Sequence, residues 1–222
     1  MCGRYYISNP DDIYRKYPIS RKEYVKIKPN YNISPGSDLP IILKDRNGFH
    51  VRLVRWGLIP SWAKDPRIGY KMINARMETL AKKPSWKKPL ISQRAIIPAN
   101  GFYEWKKDGK SKIPFVIKDS KADLLSFAGL WDIWKDNKGN IIPSFTIITA
   151  PADKNISPIH NRMPIILTKR GEEAWLNPKN KDPNFLDYVL RNDALHSLET
   201  YRVSDDVNKP INNSPELLKP FA

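Results

Sequence analysis

The chain is poor in cysteine and histidine. Its 222 residues include one cysteine, Cys2, and three histidines. A single cysteine excludes an intramolecular disulfide framework and a cysteine-rich zinc site. No two histidines have the close spacing of a metal-binding helix. We therefore expect neither a metal nor a cofactor.

Long hydrophobic runs are missing as well. The longest uncharged stretch, residues 141–152, contains two prolines. It is shorter than the ~18 apolar residues that a membrane-spanning helix needs. The N-terminus lacks the apolar segment of a secretory signal. These features predict a cytoplasmic protein with no membrane partner.

Acidic residues are scarce compared with basic ones. The chain has 38 Lys and Arg against 23 Asp and Glu, which gives a formal net charge of +15. Such a balance favours a polyanionic partner, nucleic acid before anionic lipid. Trp56, Trp62 and Trp86 lie near basic residues, a composition suited to stacking unpaired bases on a basic groove. The alternative is that these large aromatic side chains belong to the core.

Most of the chain has the pattern of β-strands separated by turn signals. Asn-Gly at 47–48 and Asp-Gly at 108–109 are typical hairpin turns, and Asn-Lys-Gly-Asn at 137–140 connects two further apolar runs. The predicted strands are residues 39–44, 49–56, 94–97, 101–106, 113–118, 124–134, 143–150, 162–167 and 200–203.

Helices are fewer. Asn9 followed by Pro10 predicts a capped helix start, and Asn74 is in the position of a cap for a helix through residue 82 that Pro84 would end. Residues 171–176 and 184–190 are further helix candidates. We predict an α+β fold, a single compact domain over residues 1–222. Its mainly antiparallel sheet is curled or barrel-like, with peripheral helices.

Cys2 offers unusual chemistry because of its position. Cytosolic processing removes an initiator methionine before a small residue, so loss of Met1 would leave an α-amine beside a thiol. Such a 1,2-aminothiol condenses with an aldehyde to an imine and then closes a thiazolidine ring. The pKa values of the two groups, ~7.7–8.0 and ~8.5, leave both partly nucleophilic near neutrality. The alternative is a small apolar residue at the start of a strand.

Glu104 and His160 are candidates for proton transfer. Glu104 lies in Phe-Tyr-Glu-Trp at 102–105, where neighbouring aromatic groups would raise its pKa. It could equally be a solvated strand residue paired with a lysine. His160 precedes a predicted strand and is suited to shuttling a proton, although a loop histidine is commonly exposed and inert. We assign no role to His50 or His196.

Asn74 and Arg76 can also be read in two ways. Asn74 is explained by helix capping alone. The Arg76 guanidinium could donate two hydrogen bonds to a phosphate, or be one of many solvated cations.

Together, these residues resemble the SOS-response-associated peptidase (SRAP) family of abasic-site-processing proteins. The resemblance depends on an ordered set of motifs anchored by cysteine at position two. They are Met-Cys-Gly-Arg at 1–4, Tyr-Asn-Ile-Ser-Pro-Gly at 31–36, Trp-Gly-Leu-Ile-Pro at 56–60, Asn-Ala-Arg-Met-Glu-Thr at 74–79, Phe-Tyr-Glu-Trp at 102–105, Thr-Ala at 149–150 and His-Asn-Arg-Met-Pro at 160–164.

The resemblance implies a protein that senses abasic sites in single-stranded DNA and links to them covalently through Cys2. It implies that Glu104 is the acid/base and that Asn74 and His160 position the sugar. The DNA-contacting positions that it implies are Arg4, Trp62, Arg76, Thr149 and Arg162. It also implies lyase-like Schiff-base chemistry, peptidase-like removal of Met1 and association with the nucleoid when bound to DNA.

Two other functions remain open on the residues alone. A cysteine peptidase would use Cys2 as nucleophile and His160 as base, oriented by Asn74 or Glu104. A non-catalytic module for single-stranded DNA would need only the charge and the tryptophans.

Overall fold

The computed structural model describes residues 2–195 and 198–221. Met1 and His196, named above, lie outside these ranges. The strands are β1 (Tyr5–Ile7), β2 (Asn30–Ile33), β3 (Asp38–Asp45), β4 (Gly48–Trp56), β5 (Asn74–Arg76), β6 (Arg94–Ala99), β7 (Gly101–Asp108), β8 (Ser111–Lys118), β9 (Leu125–Lys135), β10 (Ile141–Pro151), β11 (Arg162–Pro164) and β12 (Glu199–Arg202). The α-helices are α1 (Asp11–Lys16), α2 (Pro84–Ser92), α3 (Lys169–Leu176) and α4 (Pro183–Asn192). Short 3₁₀ turns include Pro66–Lys71, Met77–Thr79 and Asp205–Asn208.

One sheet closes on itself as a five-stranded barrel. Its strands follow the order β10-β4-β3-β6-β9, and β9 pairs with β10 to complete the ring. The pairings are antiparallel except for β10 with β4, where Ser144 is opposite Arg55. Strands β5 and β11 extend this sheet from β10, β5 in parallel and β11 antiparallel. The predicted α+β class and barrel-like sheet are confirmed.

A second sheet packs against the barrel. Its order is β12-β8-β7-β1-β2, with antiparallel pairings throughout. Tyr5 of β1 is fully buried and packs edge-on against Trp56 of the barrel, with ring centroids 5.1 Å apart. Cys2 belongs to the same buried cluster. Cys2 and Tyr5 are therefore held in the apolar layer between the two sheets.

The predicted hairpins are confirmed, with modest changes in strand ends. Strands β3 and β4 pair along their whole length around Asn47, as do β7 and β8 around Gly109. The predicted strand at 162–167 is shorter, because β11 ends at Pro164 and Ile166 makes only an isolated bridge. The helices predicted at 171–176 and 184–190 are present as α3 and α4.

Two helix-start predictions are wrong in detail. Asn74 does not cap a helix: it begins β5, a 3₁₀ turn follows, and Pro84 starts α2 rather than ending a helix. Pairing of β5 with β10 outweighs the capping preference of asparagine there. At α1 the cap position is Pro10, and the Asn9 amide donates to Asp12 instead of accepting from the first turn.

Gly57 fixes the loop that follows β4. Its φ is +123°, a conformation that side chains rarely adopt. A Cβ atom there would lie 2.7 Å from the carbonyl oxygen of Gly69, and one on Gly69 would lie 2.6 Å from the Gly57 carbonyl. The two glycines thus let both ends of this loop approach closely. The loop carries Trp62.

Arg94 ties two helices to the barrel. Its buried guanidinium donates to four backbone carbonyls, those of Leu90 and Ile91 at the end of α2 (both 2.8 Å), Trp175 (2.6 Å) and Asn177 (2.7 Å). These groups are the acceptors that helix ends leave unpaired. Burial lowers the pKa of Arg94 to about 10.

We expect Arg94→Met to lower the free energy of unfolding by about 3 kcal/mol, because four carbonyl oxygens lose a charged donor. Urea denaturation measures this loss. Arg46→Met, at an exposed turn, removes the same charge and is the control. An equal loss in both variants would contradict the assignment.

Candidate functional site

The N-terminal segment lies along β7. Tyr5 is opposite Phe102, and the backbone N–H of Tyr103 donates to the carbonyl of Arg4 at 2.9 Å. The residues just before Arg4 therefore continue along β7 towards Glu104. This pairing brings Arg4 and Tyr5 to the middle of a strand about a hundred positions away.

Asn74 holds the backbone of Cys2. Its side-chain amide donates to the Cys2 carbonyl at 2.7 Å. Asn74 begins β5, which pairs in parallel with β10 so that Asn74 is opposite Ile147. A short strand paired to barrel strand β10 thus fixes the position of Cys2.

The Cys2 side chain is fully buried, with 0% of its surface exposed. Burial raises the pKa of its thiol, and the charge of Glu104 acts in the same direction. The Sγ atom lies 3.9 Å from the carbonyl oxygen of Arg4. A thiol in this setting stays protonated near neutrality and needs a local base or an acceptor to react.

Glu104 is the carboxyl group of the site. It is 3% exposed, and burial raises its pKa, opposed by the charge of His160. The Oε1 atom of Glu104 lies 3.9 Å from Nδ1 of His160. A buried carboxyl with a raised pKa holds a proton at higher pH than an ordinary glutamate, a property suited to general acid/base work.

His160 lies in the loop between β10 and β11. Asp153 shapes this loop by accepting from the backbone N–H groups of Asn155 and Ile156 at 3.0 Å. Nδ1 of His160 lies 3.1 Å from both the nitrogen and the carbonyl oxygen of Arg162. The ring is 28% exposed. It therefore lies between the buried carboxyl group and solvent.

A cleft of about 910 Å³ opens from this group. Glu104 and His160 line its inner part, and the loop at 157–161 forms one wall. The opposite wall is the β7–β8 hairpin, with Asn208 beside it. Glu104 and His160 thus line a cavity that solvent reaches, while Cys2 is buried, held by Asn74 and near enough to Glu104 for that charge to act on its thiol.

Arg4 is directed into the protein. Its Nη1 donates to the side-chain oxygen of Asn32 at 2.6 Å and to the Val207 carbonyl at 3.2 Å. Burial lowers the pKa of Arg4. The Asn32 amide in turn donates to the carbonyls of Lys209 (3.0 Å) and Asn212 (2.8 Å). Arg4 and Asn32 therefore join the N-terminal segment to the chain near residues 207–212.

Arg162 is engaged with protein groups as well. It donates to both carboxylate oxygens of Glu78, at 2.9 and 3.0 Å, and to the carbonyl of Thr149 at 2.6 Å. This bidentate pairing lowers the pKa of Glu78. Thr149 is buried, and its hydroxyl lies 3.3 Å from Nε of Arg162. Together these residues link β10, β11 and the turn after β5.

Trp62 and Arg76 are the exposed members of the predicted DNA-contacting set. The Trp62 side chain is 58% exposed in the loop after β4, whereas Trp56 and Trp86 are buried. Arg76 ends β5 with its side chain in solvent. Asn32 and Glu78 hold two of the predicted arginines and have no assigned role among the sequence predictions. Both residues lie within the quoted motifs, and that is the only sequence signal for them.

Across residues 2–195 and 198–221, no group of three or more His, Cys, Asp or Glu side chains is arranged to hold a metal ion. In the same ranges, each helix is too short or too polar to span a bilayer.

The chain matches a known family over most of its length. The family model for the SOS response associated peptidase (SRAP) matches residues 1–210. Among similar curated proteins, the abasic site processing protein YoqW of Bacillus subtilis is 48% identical over 225 residues, which is 99% of each chain. The abasic site processing protein HMCES of Xenopus tropicalis is 33% identical over 267 residues, covering 98% of this chain and 78% of that one.

The fold is also found in a solved structure. A crystal structure of a protein from Bacteroides thetaiotaomicron superposes with a TM-score of 0.87 at 27% identity, covering all of both chains.

Proposed function

Since the chain belongs to the SOS response associated peptidase family, we propose that it captures abasic sites in single-stranded DNA as a covalent thiazolidine at Cys2. This reaction shields the lesion during the response to DNA damage. The carbonyl that reacts is the aldehyde of the abasic sugar. The proposal extends to this chain the activity that the names of its curated relatives state.

The first step releases the amine. Hydrolysis of the Met1–Cys2 peptide bond consumes one water and frees methionine, which leaves Cys2 with an α-amine of pKa ~7.7–8.0. The peptidase-like activity in this proposal is confined to that bond.

The second step opens the sugar. An abasic deoxyribose is mostly a closed hemiacetal, with little aldehyde. The protonated Glu104 carboxyl donates to the ring oxygen while its other oxygen accepts the proton of the C1′ hydroxyl, so the carboxyl returns to its starting state. The raised pKa of Glu104 keeps it protonated at a higher pH than usual. His160, 3.9 Å from that carboxyl, positions the sugar by a hydrogen bond to its oxygen.

The third step forms the link. The α-amine adds to C1′ and water is lost, which gives an imine. The Cys2 sulfur then adds to the imine carbon and the thiol proton passes to the nitrogen, closing a five-membered ring. The same imine leads to strand cleavage by β-elimination, a weak lyase activity that ring closure suppresses.

Positioning supplies much of the acceleration. The hydrogen bond from Asn74 to the Cys2 carbonyl fixes the residue that carries both nucleophiles. Well-oriented intramolecular reactions reach effective molarities of ~10⁵ M or more. The exposed Trp62 and Arg76 are suited to stacking on a base and binding a phosphate. Arg4, Thr149 and Arg162 hold the site together through their hydrogen bonds to protein groups. They contact DNA only through atoms that these protein partners do not occupy.

The observation that carries the proposal is a buried Cys2 on which the charge of the buried Glu104 acts, with that carboxyl group 3.9 Å from a histidine and both lining an open cleft. A reversible DNA-binding module would not need a buried thiol at its second residue.

An adduct assay tests the proposal. Protein whose intact mass shows loss of Met1 is incubated with matched single strands, one abasic and one undamaged. We expect a denaturation-resistant adduct with the abasic strand alone, at low and high salt. Complete release of both strands by salt would indicate a non-catalytic module, and turnover of peptides regardless of DNA would indicate a general peptidase.

A further inference from the structure

The β7–β8 hairpin contributes a row of lysines to the lining of the cleft. Lys107, Lys110 and Lys112 line it together with Glu104 and His160. Each strand residue advances about 3.3 Å, so Lys107 lies about 10 Å beyond Glu104 along β7. The cleft therefore runs from the candidate catalytic group outward along a basic wall.

The lysines of this wall repel one another, and no carboxylate within the described residues offsets that repulsion. Lys107 and Lys112 are directly opposite in the antiparallel register, an arrangement in which like charges destabilise a sheet. Further along β8, Lys118 forms an ion pair with Glu199 at 3.0 Å. Within residues 2–195 and 198–221, Lys107, Lys110 and Lys112 have no carboxylate within ion-pair distance.

Lys106 on the same strand differs from these three lysines. Lys106 is exposed but does not line the cleft, and it is opposite the apolar Ile113. Alternation along β7 places Lys106 on the face of Glu104, and Lys107 on the other face with Trp105, which also lines the cleft. Lysine binds phosphate as a compact point charge and does not need the fixed fork geometry of arginine.

We propose that Lys107, Lys110 and Lys112 bind the sugar-phosphate backbone of the single strand on one side of the abasic nucleotide. This inference rests on the proposed function for the identity of the lesion. In this arrangement the hairpin contacts the DNA strand on one side of the abasic nucleotide. The three lysines pair with phosphates there, and the abasic sugar lies beside Glu104.

Equilibrium binding to strands with a tetrahydrofuran residue tests this inference without the covalent step. That residue keeps the gap in the bases but has no aldehyde. The variant is Lys107→Gln with Lys112→Gln. The matched control is Lys106→Gln with Lys179→Gln, which removes equal charge from exposed sites off the cleft.

We expect the cleft variant to bind about tenfold more weakly than the control variant at low salt. The slope of log affinity against log salt should fall by about 1.4, because each phosphate contact on a single strand contributes about 0.7. With the lesion placed near either end of the strand, the loss should occur for one placement and be small for the other.

Equal weakening in the cleft and control variants, or equal loss at both placements, would overturn the inference. So would unchanged binding by the cleft variant. Adduct formation by the unmodified protein on a true abasic strand is measured in parallel. If no adduct forms but the cleft variant still binds more weakly than the control, the covalent proposal alone is rejected. If the adduct forms normally but the cleft variant binds as well as the control, the lysine inference alone is rejected.

Discussion

Replacing Cys2 with serine is expected to abolish the denaturation-resistant adduct while an imine still forms. Serine is small enough for Met1 to be removed, so the α-amine remains. The hydroxyl is a far weaker nucleophile than a thiol, and stable ring closure should fall on the order of 100-fold or more. Gel assays with and without borohydride, which reduces an imine to a stable amine, measure the two products separately.

Cys2→Ala is the matched control because it also keeps the amine and has no group that closes a ring. Both variants should give adduct only after reduction, together with more strand cleavage than the unmodified protein. Intact mass shows that Met1 has been lost in each. A stable adduct from either variant at the unmodified yield would reject the thiazolidine.

Local sequence signals predicted the hairpins well. The predicted pairs Asn47-Gly48 and Asp108-Gly109 mark both hairpins to within one residue, since the turns are Arg46-Asn47 and Gly109-Lys110. The alternating strands on either side fix the register. These features depend on neighbours in the chain. They can be read without knowing the rest of the fold.

Barrel closure was predicted only as a general curl. It depends on β10 pairing with β9 on one side and with β4, in parallel, on the other. Ser144 and Arg55 are brought together by that parallel pairing across a large separation in sequence. No turn signal marks such a contact, and the apolar pattern of a strand does not specify its partner.

Asn74 shows how a local preference misleads. Asparagine before a polar, helix-compatible stretch satisfies the capping rule, but its side chain instead holds the Cys2 carbonyl. That contact joins residues 72 positions apart. The motif resemblance identified Asn74 as a site residue, but the helix predicted to follow it is wrong.

The arginines show a second limit. Arg4 and Arg162 are two of many cations in the sequence, and composition cannot separate a cation in solvent from one paired inside the protein. Their partners, Val207 and Glu78, are distant in the chain. The charge of +15 therefore overstates how much positive surface these particular side chains contribute.

Glu104→Gln is expected to slow adduct formation by about 100-fold or more, the range that a positioned acid/base contributes. The amide is close in shape to the acid but cannot exchange a proton with the sugar. The rate of adduct formation should be measured from pH 5 to 9 in both proteins. Single-turnover conditions keep product release out of the measurement.

The pH profile separates this role from a structural one. In the unmodified protein the rate should rise as the Cys2 amine loses its proton and fall as the Glu104 carboxyl ionises at its raised pKa, which gives a bell. In the variant only the rising limb should remain. A bell of unchanged shape in the Gln variant would exclude Glu104 as the proton donor.

Stability should change in the opposite direction to activity. Because the folded-state pKa of Glu104 is raised by burial, the folded protein binds its proton more tightly than the unfolded chain does. Its contribution to stability is fully present below the unfolded pKa of ~4.3 and is lost as pH rises through the folded pKa. Glu104→Gln should therefore raise the melting temperature at pH 7 and leave it nearly unchanged at pH 4. A slower variant that melts higher at pH 7 would show that a buried, ionisable carboxyl is kept at this position for chemistry, at a cost to the fold.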